Sequence, residues 1–119
     1  VSKIYICSRY RADTKEQFKL QLAKTKEIAR EVALAGHDVI VPHLMLTQFL
    51  DDSVESEREV GIASALRLLD VCGFLYVYIG LGVSKGMEAE IEYIKDKKIG
   101  ARYFRNMNEL RDLLKKEKP

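Results

Sequence analysis

Apolar residues recur along this chain with two different periods. Short runs rich in β-branched, aromatic and aliphatic residues occupy positions 3–8 (KIYICS), 37–41 (HDVIV), 74–79 (FLYVYI) and 99–104 (IGARYF). Polar residues, glycine or proline bound each run, as expected of strands. The third is nearly continuous in its apolar character, the mark of a strand buried on both faces. Between the runs the apolar positions follow helical spacing. Phe18, Leu22, Ala29 and Val32 define a helix over residues 13–35 that Gly36 stops, and Ile62, Leu66 and Leu69 define another over 53–70. Met87, Ile91 and Ile94 share one face of a helix that opens at Ser84 and runs to about Lys97. Asn106 and Glu109 form a capping box for a last helix carrying Met107, Leu110, Leu113 and Leu114 on one side.

Strand and helix therefore alternate throughout, with no linker or repeat between them. That order predicts one α/β domain over residues 1–119, a three-layer sandwich with a flavodoxin- or Rossmann-like parallel sheet of four to five strands. Ligands of such sheets bind beyond the carboxyl ends of the strands, where the strand order reverses. The connections expected there are residues 8–12, 42–52 and 80–84. The second of these, PHLMLTQFLDD, is too apolar for a simple solvent loop and is expected to fold over something.

Composition narrows the partners. Twenty basic residues against 18 acidic ones leave a net charge of +2, too small to argue for nucleic acid. No apolar run approaches the roughly 20 residues a membrane span needs, and no signal-peptide pattern opens the chain, so the expected location is cytoplasmic. Cys7 and Cys72 fall in or beside strand patterns without metal-like spacing and read as reduced core residues. No metal or other cofactor is expected.

The candidate chemistry lies in the connections. The segment Gly82-Val83-Ser84-Lys85-Gly86-Met87-Glu88-Ala89-Glu90 turns a strand through glycines into a helix, and such a helix start attracts anions. Glu88 and Glu90 point in different directions on that helix. Glu90, three residues after Met87, is the better placed to face a pocket, and the residues alone leave open whether both are solvated charges. Ser8-Arg9-Tyr10-Arg11 offers a hydroxyl, a phenol and two guanidinium forks suited to phosphate or carboxylate; the same arginines also fit plain surface positions. His43 follows Pro42 at the end of the second strand, as a ligand contact or a packing residue. Tyr5 and Tyr78 read as packing residues with a polar tip, and Asp51 and Asp52 as helix caps. Neither a G-x-G-x-x-G nor a Walker pattern occurs, so a bound phosphate would rely on side chains plus the Ser84–Gly86 helix start. A serine nucleophile elbow is also missing.

The pattern Ile4-Tyr5-Ile6-Cys7 with Tyr10-Arg11, then Val41-Pro42-His43, Phe49-Leu50-Asp51-Asp52 and Ser84-x-Gly86-Met87-x-x-Glu90-Ile91, resembles the nucleoside 2-deoxyribosyltransferase-like superfamily. It comes nearest to small bacterial and phage proteins of a domain-of-unknown-function group, related to enzymes that hydrolyse deoxynucleoside monophosphates. The resemblance implies a nucleoside or nucleotide as ligand and Glu90 as a nucleophile on the anomeric carbon, in the manner of a retaining glycosidase. It implies Tyr5 as a catalytic neighbour of that glutamate and Ser8, Arg9, Arg11, Ser84 and Gly86 as substrate contacts, with His43 and Glu88 beside them. It also implies a homodimer or higher oligomer, with the 44–50 connection and the second helix as contact surfaces.

The chain departs from the superfamily pattern in three places. The assisting aspartate of the second helix falls at Ala65 or Ser64, an aspartate before the third strand falls at Gly73, and the glycine-serine pair after the first strand reads Ser8-Arg9. An alternative register places Glu88 in the nucleophile slot. A non-catalytic nucleotide-binding module of the same fold is the other function these departures allow.

Overall fold

The computed structural model describes residues 2–118. Four strands, β1 (Lys3–Cys7), β2 (Asp38–Ile40), β3 (Phe74–Tyr78) and β4 (Gly100–Phe104), form one all-parallel sheet in the order β2-β1-β3-β4. The helices are α1 (Lys15–Leu34), α2 (Pro42–Met45), α3 (Glu55–Asp70), α4 (Lys85–Tyr93) and α5 (Met107–Lys116). This is the expected three-layer α/β arrangement. The chain steps from β1 to the edge strand β2 and then crosses back to β3, so the order reverses between β1 and β3. Their carboxyl ends open the crevice in which folds of this kind bind ligands.

Alternation along β1 and β3 builds the core on both faces of the sheet. Ile4, Ile6, Tyr76, Tyr78 and Phe104 pack with Ile28 and Val32 of α1 and Leu110 of α5. On the other face Tyr5, Cys7, Leu75 and Val77 pack with Leu69 of α3 and Met87 of α4. Both central strands are thus covered on each side, which is why they read as unbroken apolar runs. Cys7 and Cys72 are buried and unpaired; burial pushes the Cys72 thiol up to about 11.

Several elements differ in detail from the sequence expectation. α1 starts where Thr14 Oγ1 accepts the Gln17 N–H at 3.1 Å, as an N-cap does, but its buried face is Gln21, Thr25, Ile28 and Val32. Phe18 turns aside to meet the edge of the Tyr10 ring, with centroids 5.3 Å apart. α4 stops at Tyr93, because the N–H groups of Lys95 and Lys97 reach back only three residues, to Glu92 and Ile94. Asp51 and Asp52 do not cap α3. Asp51 accepts from the N–H (3.0 Å) and hydroxyl (2.6 Å) of Ser53, and Asp52 turns to Arg11, 3.6 Å away. In α5 only half the capping box forms: Asn106 accepts the Glu109 N–H, while Glu109 takes the N–H and guanidinium of Arg105 instead.

The apolar 42–52 connection is not a loop over its whole length. Pro42 starts α2, where its missing N–H costs nothing, and a 3-10 turn follows at Leu46–Gln48. Among the described residues no helix is long and apolar enough to cross a membrane.

Candidate functional site

Glu90 is placed by the turn that precedes its helix. After β3 the chain passes Gly82, whose φ of 87° suits glycine, and reaches Ser84. The Ser84 hydroxyl accepts the Met87 N–H at 3.3 Å and fixes the first turn of α4. Met87 then plugs into the core at 1% exposure, and Glu90, one turn further on the same face, follows it inward at 8%. Glu88, about 200° round the helix from Glu90's side of that turn, is exposed and does not line the cleft.

Behind Glu90 lies β1. The phenol of Tyr5, fully buried, donates to Glu90 Oε2, and the thiol of Cys7, two residues on along the same strand face, adjoins the same carboxylate. Burial raises the Glu90 carboxyl above its ordinary range, and the hydrogen bonds from Tyr5 and Cys7 pull it back toward the charged form. Burial first, and then the nearby Glu90, raise both Tyr5 and Cys7, so each keeps its proton. The result is one carboxylate backed by two protonated donors. Tyr5 does not line the cleft; it stands behind Glu90, as the neighbour of that glutamate that the resemblance implies.

In front of Glu90 is a cavity of about 430 Å³. One wall comes from α2 and the following turn (Pro42, His43, Leu46, Thr47), another from Gly61, Ile62, Ala65 and Leu66 of α3. Ser8 and Arg11 after β1 close one end, and Ser84 and Gly86 at the start of α4 lie at the floor. Six of the residues expected from the sequence therefore meet here: Ser8, Arg11, His43, Ser84, Gly86 and Glu90. Arg9 does not line the cavity; its guanidinium Nη1 lies 3.5 Å from where a Cβ on Gly82 would stand.

Ser8 is buried at 3% exposure, and its Oγ lies 2.9 Å from Thr25 Oγ1. The Thr25 proton is engaged by the Gln21 carbonyl at 2.9 Å, so Ser8 donates to Thr25 and its oxygen is left as an acceptor. Gln21 in turn donates to the carbonyls of Tyr10 (3.1 Å) and Arg11 (3.2 Å) and holds the β1–α1 loop against the cleft. This explains the polar residues on the inner face of α1: each satisfies a polar partner in the segment that follows β1.

Glu57 and Arg58 escaped the sequence reading of the site, and the pairing of Tyr10 with His43 did too. Tyr10 stacks on the His43 ring at 4.7 Å with 12° between planes, and its phenol is raised by burial and by Asp52. His43 is lowered by burial, with Asp52 acting against the shift. Asp52, Glu57 and Arg58 also line the cavity. The signal was present in part: the apolar 42–52 connection announced a covering element, but its register with Tyr10 depends on tertiary packing. Among the described residues no group of three or more His, Cys, Asp or Glu side chains could hold a metal ion.

The chain has relatives in sequence and in fold. Residues 2–104 match the model of a domain of unknown function, DUF7768, and the chain belongs to that family. No curated protein sequence matches the chain. Among solved structures it is similar to a 2-deoxyribosyltransferase from the psychrotolerant bacterium Bacillus psychrosaccharolyticus, with a TM-score of 0.64 and 19% identity over 92% of this chain and 90% of that one. At that identity the likeness is one of fold. The parallel sheet and the helices that flank it share the fold of that protein.

Proposed function

We propose that this protein breaks the N-glycosidic bond of a 2-deoxynucleoside or its 5′-monophosphate, with Glu90 as the nucleophile. The observation that carries the reading is the buried Glu90 carboxylate at the cavity floor, held from behind by Tyr5. A carboxylate so placed is desolvated enough to be reactive and fixed enough to attack one atom. It would bond to C1′ as the base leaves, giving a glycosyl-enzyme that water or a second base resolves. The volume of about 430 Å³ falls in the range of small-ligand pockets. Arg11 and the helix start at Ser84–Gly86 fit a phosphate, whereas Ser8, with its proton committed to Thr25, fits a sugar hydroxyl as an acceptor.

Incubation with a panel of deoxynucleosides and their monophosphates, followed by chromatography of free base, tests the reading. Base release that disappears in Glu90→Gln supports it. Release unchanged in Glu90→Gln removes Glu90 from the mechanism.

A second reading is favoured by one observation. Neither Ala65, which lines the cavity on α3, nor Ser64 beside it supplies the assisting carboxylate of the superfamily pattern. A module that binds a nucleotide without cleaving it fits that absence, and thermal stabilisation by a nucleotide with no release of base would select it. The exposed side chains of Met45, Phe49 and Ile62 around the mouth are in keeping with contact to a second copy, which light scattering tests.

A further inference from the structure

A nucleobase leaves as a poor anion unless a proton reaches it as the bond to C1′ breaks. α3 presents Ala65 to the cavity, so on the glycosidic reading, on which this inference rests, the proton comes from elsewhere. The groups facing the cavity can be sorted by their partners. Arg11 is paired with Asp52 at 3.6 Å. Glu57 is an acceptor for the Asp51 N–H at 3.1 Å, and Arg58 beside it is a guanidinium, a group that does not part with its proton in proteins. Tyr10 keeps its proton through burial and the charge of Asp52. From α4 the cavity receives Lys85 on the exposed first turn and Glu90, the proposed nucleophile.

Of the groups that remain, the imidazole is the side chain suited to give up and retake a proton near neutral pH. The geometry points to His43 as the catalytic acid that hands the departing base its proton. The ring is stacked on Tyr10 at 4.7 Å and 12°, which fixes its plane, and α2 brings it to the cavity from a different wall than the one carrying Glu90. In the first step a Glu90 oxygen bonds to C1′ while the C1′–N bond breaks. The electron pair goes to the base nitrogen and the His43 proton follows it, so neutral base departs and His43 becomes neutral. Water then attacks C1′, the C1′–O bond to Glu90 breaks and restores the carboxylate, and the water's proton returns to His43.

Base release is measured for wild type, His43→Gln and His43→Ala on two substrates: the best natural one from the panel, and 7-methyl-2′-deoxyguanosine 5′-monophosphate, whose base leaves neutral without being protonated. The expected result is a loss of about 100-fold or more on the natural substrate with less than about fivefold on the methylated one. Equal losses on both substrates, or no loss on either, overturn the assignment. A wild type that releases no base from any substrate instead sinks the glycosidic reading itself.

The pH profile supplies the second measurement and needs only the natural substrate. Burial lowers His43 and Asp52 opposes that, so Asp52→Asn moves the alkaline limb of kcat/KM to lower pH. A limb that stays in place, or a profile with no alkaline limb, overturns the assignment of His43.

Discussion

The phenol of Tyr5 donates to the carboxylate of Glu90, joining the central strand β1 to α4 across 85 positions of sequence. Neither residue is drawn inward by hydrophobicity alone. Met87 carries Glu90 into the interface, and the alternation of β1 places Tyr5 on the face that α4 covers.

Removing the phenol hydroxyl leaves burial as the larger influence on Glu90 and takes away the first of the hydrogen bonds that oppose it. Tyr5→Phe therefore raises the Glu90 pKa further and moves the acid limb of base release to higher pH. A hydrogen bond to a charged group is worth about 1.5–3 kcal/mol, so kcat/KM near the acid limb falls about tenfold or more. Rate measurements across pH check this, and an unmoved limb contradicts the link.

Glu90 also sets a pH dependence of stability. Its folded pKa is raised above the unfolded value, so its contribution is fully present below the unfolded pKa and is lost as pH rises through the folded one. Glu90→Gln keeps an acceptor for Tyr5 and removes the desolvated charge. The variant is expected to be the more stable at neutral and alkaline pH, on the order of 1 kcal/mol or a few degrees in Tm. The difference should vanish below the ordinary carboxylate range, which thermal unfolding at a series of pH values would reveal.

Gly86 separates fold from function. A Cβ there would meet only Ser84 Oγ, at 3.9 Å, so the protein has room for it, but it would project into the cleft. Gly86→Ala is expected to stabilise the unliganded protein by up to about 1 kcal/mol through reduced chain entropy. It should at the same time weaken nucleotide binding. Calorimetry and thermal unfolding on the same variant distinguish the two effects.

Gln21 carries a burden unusual for a helix glutamine, holding two loop carbonyls beside the site. Gln21→Leu leaves both without that donor and costs about 1–3 kcal/mol. The Tyr10–His43 stack should loosen with the loop, giving a raised KM measured alongside the drop in Tm.

Gly80 tolerates no side chain. A Cβ would stand 2.5 Å from the Arg105 carbonyl oxygen and 2.5 Å from the Tyr78 hydroxyl. Gly80→Ala should destabilise by about 1–3 kcal/mol, read from denaturant midpoints.

The layered α/β architecture could be read from the chain because strand and helix differ in period, and β1 and β3 announced their double burial through unbroken apolar runs. The pattern was less reliable where polar residues are buried. Gln21 and Thr25 belong to the inner face of α1, yet hydrophobic spacing passes over them, since their partners Tyr10, Arg11 and Ser8 come from a separate loop. The depth of Tyr5 was hidden for a similar reason: the sequence locates it beside Glu90 but not behind it. Glu88 and Glu90 could be ranked by helix geometry alone. The Tyr10–His43 stack could not be foreseen, because it depends on how α2 folds back over the loop after β1.

β1 lies between β2 and β3, with helices over both of its faces. Its amides should exchange with solvent only on the slow timescale of global opening, while those of α2 and the turn after it exchange through local fluctuations. A ligand thus meets a glutamate backed by a strand that does not breathe, and a wall that does. Changes of substrate can then accumulate in the 42–52 segment, while the strand that holds Tyr5 and Cys7 stays as it is.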